Sequence, residues 1–71
     1  MGKQMGTVQF FDAKKGYGFI VGTDGNKYFF RSIDIIKKYK ACRSNEKVLF
    51  ETERDVRGLK AVRIHSLGSP K

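Results

Sequence analysis

The sequence predicts an all-β fold, a small five-stranded antiparallel barrel with a short helical connection between the third and fourth strands. Two observations support this prediction. Five stretches are rich in the β-branched and aromatic residues that strands favour, and turn-forming residues separate them, most clearly Asp24-Gly25, which favours a tight hairpin. Because an open sheet of five short strands would leave two edges unpaired, we expect the sheet to close into a barrel.

The predicted strands follow one another along most of the chain. They cover residues 5–11, 17–22, 27–31, 47–54 and 59–67. Residues 32–45 have a different character, because Ile33 and Ile36 recur at helical spacing and Ser32 is a residue type that favours the N-cap. We therefore expect a short helix or helical turns there, followed by a basic loop.

The chain has 71 residues, the length of one domain. We expect residues 1–71 to form a single domain with its core between about residues 5 and 66 and a loose tail at 67–71. Lysine and arginine number 15 against 7 acidic residues, which gives a net charge of +8. A charge of this size favours a polyanionic partner. Nucleic acid is favoured over an anionic membrane, because the sequence shows no long amphipathic helix with a basic face.

The composition argues against several other classes of protein. One cysteine, Cys42, and one histidine, His65, cannot supply the ligands of an ordinary zinc site, so we expect neither a metal nor a cofactor. A single cysteine fits a reducing compartment, and there is no apolar run typical of a leader or a membrane span. We expect a cytoplasmic monomer. No nucleophile–histidine–acid set is present, so we expect a protein that is not an enzyme.

The alternation of side chains in the second and third strands predicts which rings are exposed. A charge is rarely buried in so small a core, so Arg31 and therefore Phe29 should face solvent, while Tyr28 and Phe30 face inward. The Asp24-Gly25 hairpin pairs these two strands, which places Tyr17 beside Phe29 on the solvent face. The same alternation sends Phe19 outward and Ile20 inward. An alternative interpretation is that Tyr17 and Phe19 belong to the core and Ile20 faces out.

Three exposed rings on two neighbouring strands suggest a function. The side chains expected at their rim are all cationic: Lys14, Lys15, Lys27 and Arg31. Aromatic side chains stack on the bases of single strands, and the cations contact phosphates. We expect Gly16 and Gly18 to keep this surface low, so that a planar base can reach the rings. The sequence therefore predicts binding of single-stranded RNA or DNA.

These residues also carry a resemblance to a known family. KGYGFI (residues 15–20) resembles the first ribonucleoprotein motif, and KYFFR (27–31) lies where the second motif should be. With GTVQFFDAKKG before them, and with VLFE and GLKAVRI after them, the chain resembles a bacterial cold-shock domain from Gly6 to about His65. The resemblance implies an OB-type barrel that binds single-stranded RNA and DNA, with an RNA-chaperone-like or cold-shock regulatory role.

The resemblance also implies roles for individual residues. It assigns Phe10, with Tyr17, Phe19 and Phe29, to base stacking. Phe10 follows Val8 at a spacing that alternation alone would bury, so a bulge in the first strand is needed to expose it. The full set of candidate nucleic-acid-binding residues is Phe10, Lys14, Lys15, Tyr17, Phe19, Lys27, Phe29, Arg31, Tyr39 and Arg57.

Several positions depart from the family pattern. Arg31 and Ser32 stand where a histidine and a second aromatic residue are usual, and Lys27 stands where an acidic residue is common. Tyr39 would replace the aromatic residue of the long connection. We therefore expect weaker base preference and steeper salt dependence than is usual for the family. The alternative function is a basic protein-interaction module that docks on an acidic partner or the ribosome.

Overall fold

The computed structural model describes residues 2–36 and 44–68, which form a closed five-stranded barrel. The strands are β1 (Lys3–Asp12), β2 (Tyr17–Gly22), β3 (Lys27–Arg31), β4 (Lys47–Asp55) and β5 (Gly58–Gly68). Their order around the barrel is β1-β2-β3-β5-β4. Four pairings are antiparallel, and the contact between β3 and β5 is parallel, with Phe29 opposite Lys60. The predicted all-β barrel is confirmed, with one parallel contact.

The interior of the barrel is filled by apolar side chains that alternate along the strands. The predicted inward residues Ile20, Tyr28 and Phe30 are all buried. Because Ile20 has no exposed surface, the alternative in which it faces out is wrong. The remaining buried apolar residues are Val8, Ile35, Val48, Phe50, Ala61, Val62 and Ile64.

Gly18 is buried where β2 comes closest to β1. A Cβ atom at this position would collide with the carbonyl oxygen of Phe10 and would lie 2.9 Å from both the Phe11 Cα and a Phe30 ring carbon. Gly18 therefore faces the core, and the expectation that it lowers the binding surface is wrong. Gly16 has a different requirement, because its φ of +77° lies in the left-handed region that favours glycine.

The described start of the connection after β3 is a 3₁₀ turn at Ser32–Asp34, in which the Asp34 carboxylate accepts the Arg31 backbone N–H at 3.2 Å. The chain then becomes extended, because Ile35 is buried and forms a parallel bridge with Ile64 on β5. Ile33, expected on the apolar helix face, is 82% exposed. Residues 37–43 of the predicted connection lie outside the described residues.

A network of polar side chains joins the β2–β3 hairpin to the start of β1. The Asp24 carboxylate accepts hydrogen bonds from the Tyr28 hydroxyl at 2.5 Å, the Asn26 backbone N–H at 2.9 Å and the Gln4 amide at 3.1 Å. These bonds, the one from Tyr28 first, hold the pKa of the Asp24 carboxyl well below its usual value of 3.8. The bond to Asp24 correspondingly raises the pKa of Tyr28.

The network predicts a loss of stability in acid. A carboxyl whose pKa is lower in the folded than in the unfolded state stabilises the fold above the unfolded pKa, and this contribution disappears as the pH falls toward the folded value. Wild-type protein should therefore be more stable than Asp24→Asn near neutral pH, and the difference should shrink below about pH 4. Urea unfolding of both proteins between about pH 2 and pH 6 measures it.

Tyr28→Phe is the matched control, because it removes the strongest donor to Asp24 and keeps the buried ring. The difference in unfolding free energy between Tyr28→Phe and Tyr28→Phe/Asp24→Asn should therefore depend less on pH than the difference between wild type and Asp24→Asn. If the difference between wild type and Asp24→Asn stays constant down to about pH 2, the ionised Asp24 carboxylate does not stabilise the fold in this way.

Gly18→Ala should destabilise the barrel. The added methyl group would meet β1 backbone and the Phe30 ring, neither of which is a flexible chain end, so we expect a cost of about 1–3 kcal/mol or more. Gly2→Ala is the matched control, because a Cβ there meets nothing within 4 Å. Equal urea midpoints for the two variants would show that β1 can move aside at no cost.

Candidate nucleic-acid interface

A bulge in β1 brings Phe10 to the outer surface. Val8 pairs with Ile20 and Phe10 pairs with Phe19, so one extra residue, Gln9, lies between the two pairs. Val8 is fully buried, whereas Phe10 is 42% exposed. The bulge that the family resemblance requires is therefore present, and Phe10 joins the solvent face of the sheet.

Four aromatic rings lie together on the outer face of β1, β2 and β3. Tyr17 is central: its ring centroid is 5.9 Å from that of Phe10, 6.2 Å from that of Phe19 and 6.0 Å from that of Phe29. Phe19 and Phe29 are directly paired across the strands, with centroids 5.8 Å apart. We call these four residues the aromatic face. The predicted outward direction of Tyr17, Phe19 and Phe29 is confirmed.

Two cationic side chains of β3 adjoin the aromatic face. The Lys27 ammonium lies 5.1 Å from the centre of the Phe19 ring, a distance at which a cation is attracted to the ring electrons. Arg31 is exposed and pairs across the strands with Tyr17. Both cations thus lie next to rings and remain accessible to an anion.

The turn between β1 and β2 presents two more lysines. Lys14 and Lys15 are both exposed, and their backbone N–H groups donate to the same Asp12 carboxylate oxygen, each at 3.0 Å. The Gly16 carbonyl then accepts the Ser32 backbone N–H at 2.8 Å, which fixes the turn against the end of β3. The lysines therefore stand on an ordered turn that leads directly into Tyr17.

A groove of about 480 Å³ runs between the aromatic face and the β4–β5 turn. Its lining includes Phe19, Phe29, Arg31, Asp55, Arg57 and Lys60. The structure thus brings Arg57, predicted from the resemblance, into one groove with two of the rings. Sequence reasoning missed Asp55 and Lys60, because the parallel contact of β3 with β5 joins residues about thirty positions apart. No local pattern indicates that contact.

The candidate residues thus fall into three groups. Phe10, Tyr17, Phe19 and Phe29 form the aromatic face, with Lys27 against it. Arg31 and Arg57 line the groove, and Lys14 and Lys15 stand on the preceding turn. Tyr39 lies outside the described residues. In the described part of the chain, no helix is long and apolar enough to cross a membrane, and no group of three or more potential metal ligands occurs.

Comparisons with known proteins are consistent with this geometry. The family model described as the 'Cold-shock' DNA-binding domain matches residues 4–67. Cold shock protein 1 of Lactiplantibacillus plantarum is 43% identical over 61 residues, 83% of this chain and 91% of that protein. The major cold shock protein of Micrococcus luteus is 37% identical over 65 residues, 89% of this chain and 97% of the relative.

A further relative and a solved structure extend the comparison. The cold shock-like protein CspG of Escherichia coli strain K12 is 36% identical over 67 residues, covering 92% of this chain and 96% of the relative. The solved structure of Drosophila Unr CSD456 has the same fold, with a TM-score of 0.78 at 22% identity. The match covers 94% of this chain and 27% of that longer one.

Adjacent rings on β1 should differ in their effect on stability. Phe11 packs against Phe30 with centroids 5.5 Å apart, whereas Phe10 turns to the outer face and is 42% exposed. Phe11→Ala should therefore cost about 2–4 kcal/mol of unfolding free energy, and Phe10→Ala less than about 1 kcal/mol. Urea unfolding of the two variants measures both. Equal losses would contradict the bulge that turns Phe10 outward.

Proposed function

The chain belongs to the cold-shock domain family of nucleic-acid-binding proteins, and we propose that its aromatic face binds single-stranded RNA or DNA. The observation that carries the proposal is the contact of four outward rings with cations beside them. Each unpaired base has two flat faces that stack on such rings, at about 1–3 kcal/mol per base. A duplex hides those faces between neighbouring base pairs, so the aromatic face selects single strands.

The phosphates of the bound strand would meet cations on two sides of the aromatic face. Lys14 and Lys15 approach from the β1–β2 turn, and Arg31 and Arg57 from the groove. We propose that Lys27, whose ammonium lies 5.1 Å from the Phe19 ring centre, contacts a phosphate when a base stacks on that ring. Because these contacts release counterions from the strand, the affinity should fall steeply with salt.

Binding of this kind needs no catalysis. A protein that binds unpaired segments and not duplexes stabilises the open state of a folded RNA by mass action, without ATP. The proposed role is that of an RNA chaperone or a cold-shock regulator. We propose further that the protein acts as a cytoplasmic monomer without a metal or cofactor, in line with its single cysteine and single histidine.

Removal of two rings should weaken binding strongly. The double variant Phe19→Ala/Phe29→Ala should lose about 2–6 kcal/mol of binding free energy, the sum of two stacking contacts. Fluorescence anisotropy of a labelled seven-nucleotide strand, titrated at several salt concentrations, measures the loss. Wild-type protein should show a log–log salt slope that corresponds to about 3–5 phosphates.

Two further variants separate stacking from folding and from general surface changes. Phe19→Leu/Phe29→Leu keeps apolar side chains at both positions and removes only the ring faces, so it should also bind weakly. Leu67→Ala alters a residue that is 50% exposed at the far end of β5 and should bind normally. If the leucine variant binds as tightly as wild type, the alternative is favoured, in which charge docks the barrel on an acidic partner or the ribosome.

The lysines of the β1–β2 turn should contribute to nucleic-acid affinity only through their charge. Lys14→Gln/Lys15→Gln should reduce the magnitude of the salt slope by about 1.4, two phosphate contacts on a single strand, with little change in base discrimination. The matched control is Lys3→Gln/Lys47→Gln, which removes two exposed charges from β1 and β4. Equal slopes for the two double variants would mean that net charge, and not placement, attracts the strand.

A further inference from the structure

Among the described residues that line the groove beside the aromatic face, one is a carboxylate and three are cations. Phe19 and Phe29 form its aromatic side, and Arg31, Arg57 and Lys60 supply positive charge around it. Asp55, at the end of β4, is the acidic residue that lines it. A site for phosphate alone would gain nothing from a carboxylate, because two anions repel each other. The presence of Asp55 therefore points to a ligand group that donates hydrogen bonds.

The Asp55 side chain is held in a defined orientation. Its Oδ1 atom accepts the backbone N–H of Arg57 at 2.8 Å, which closes the β4–β5 turn on the side chain. Its other oxygen has no partner within residues 2–36 and 44–68. Since an ionised carboxylate only accepts hydrogen bonds, this oxygen offers an acceptor to whatever occupies the groove.

We propose that the groove is a base pocket that selects guanine, with Asp55 as the residue that determines the selection. Guanine carries two adjacent donors, N1–H and the 2-amino group, which match a carboxylate. The adjoining edge carries the acceptors O6 and N7, which Arg and Lys side chains recognise. A guanine stacked beside Phe29 would present its donors to Asp55 and its acceptors to one of the cations. This inference rests on the proposed function, since it concerns one base of the bound strand.

The other bases fit the groove less well. Uracil and thymine offer one ring N–H flanked by two carbonyl oxygens, which a carboxylate repels. Cytosine and adenine offer an amino group next to an unprotonated ring nitrogen, so they present a single donor beside an acceptor. Guanine alone pairs two neighbouring donors with a separate acceptor edge. Lys27 stands where the family often has an acidic residue, and its presence was expected to weaken base preference. Asp55 would supply a carboxylate from β4 in its place.

The test uses seven-nucleotide thymidine strands that carry one guanine at each position in turn. Hypoxanthine at the same position is the matched probe, because it has the guanine ring system without the 2-amino group. At one position, wild-type protein should bind the guanine strand about five- to tenfold more tightly than the hypoxanthine strand. Binding is measured by anisotropy competition at constant salt.

Asp55→Asn is the decisive variant. The asparagine side-chain oxygen can still accept the Arg57 N–H, so the turn is retained, while an NH₂ group replaces the free acceptor. This variant should lose the preference for guanine over hypoxanthine and should bind plain thymidine strands at least as tightly, because one negative charge is removed. Its urea midpoint, compared with that of wild type, verifies that the turn survives.

The outcomes separate this inference from the proposed function. If thymidine strands bind through the rings but guanine and hypoxanthine are equal at every position in wild type, the guanine pocket is overturned and single-strand binding stands. A preference that persists in Asp55→Asn likewise overturns the role of Asp55. If neither thymidine strands nor the matching uridine strands bind at all, the proposed function itself fails.

Discussion

The close approach of Gly18 to β1 is the contact on which both sides of the sheet depend. With no side chain at this position, the β1 backbone and the Phe30 ring lie where a Cβ atom would otherwise stand. The extra residue Gln9 then lets Phe11 turn inward onto Phe30 while Phe10 turns outward beside Tyr17. A single buried glycine thus permits a closed core and an aromatic outer face on the same three strands.

The exposed rings and positive charges of the aromatic face lower the stability of the fold, and packing in the interior must offset this loss. Rings left on the surface forgo part of their hydrophobic stabilisation, and unbalanced positive charges repel one another. The compensation lies in well-packed apolar side chains such as Phe30 and Phe50 and in local polar anchors, Asp12 and Asp24 at the turns before and after β2. Asp12 holds the turn that carries Lys15, and Asp24 holds the turn that immediately precedes Lys27 at the start of β3. The polar contacts of Asp12 and Asp24 therefore fix the positions of binding groups at the turns.

The sequence predicted the parts of the site that depend on short-range pairing and missed those that depend on barrel closure. Alternation, together with one hairpin, was enough to place Phe29 outside and Phe30 inside, because β2 and β3 are adjacent in sequence. Phe10 needed the family resemblance, since alternation alone would bury it. The helical spacing of Ile33 and Ile36 did not predict that Ile35 would bridge to Ile64, because the two residues are far apart in sequence and meet only when the barrel closes. Asp55 likewise reaches the groove only because β3 and β5 pair when the barrel closes, which brings the β4–β5 turn next to Phe29.

The central claim is that bases stack directly on the aromatic face, and the most direct measurement is NMR of the protein bound to a seven-nucleotide single strand. We expect intermolecular NOEs between base protons and the ring protons of Tyr17, Phe19 and Phe29, with upfield ring-current shifts of those protons. Met5 and Leu67, exposed elsewhere on the barrel, should show none. Shifts confined to lysine and arginine side chains, with no NOE from a base to any of the rings, would contradict the claim.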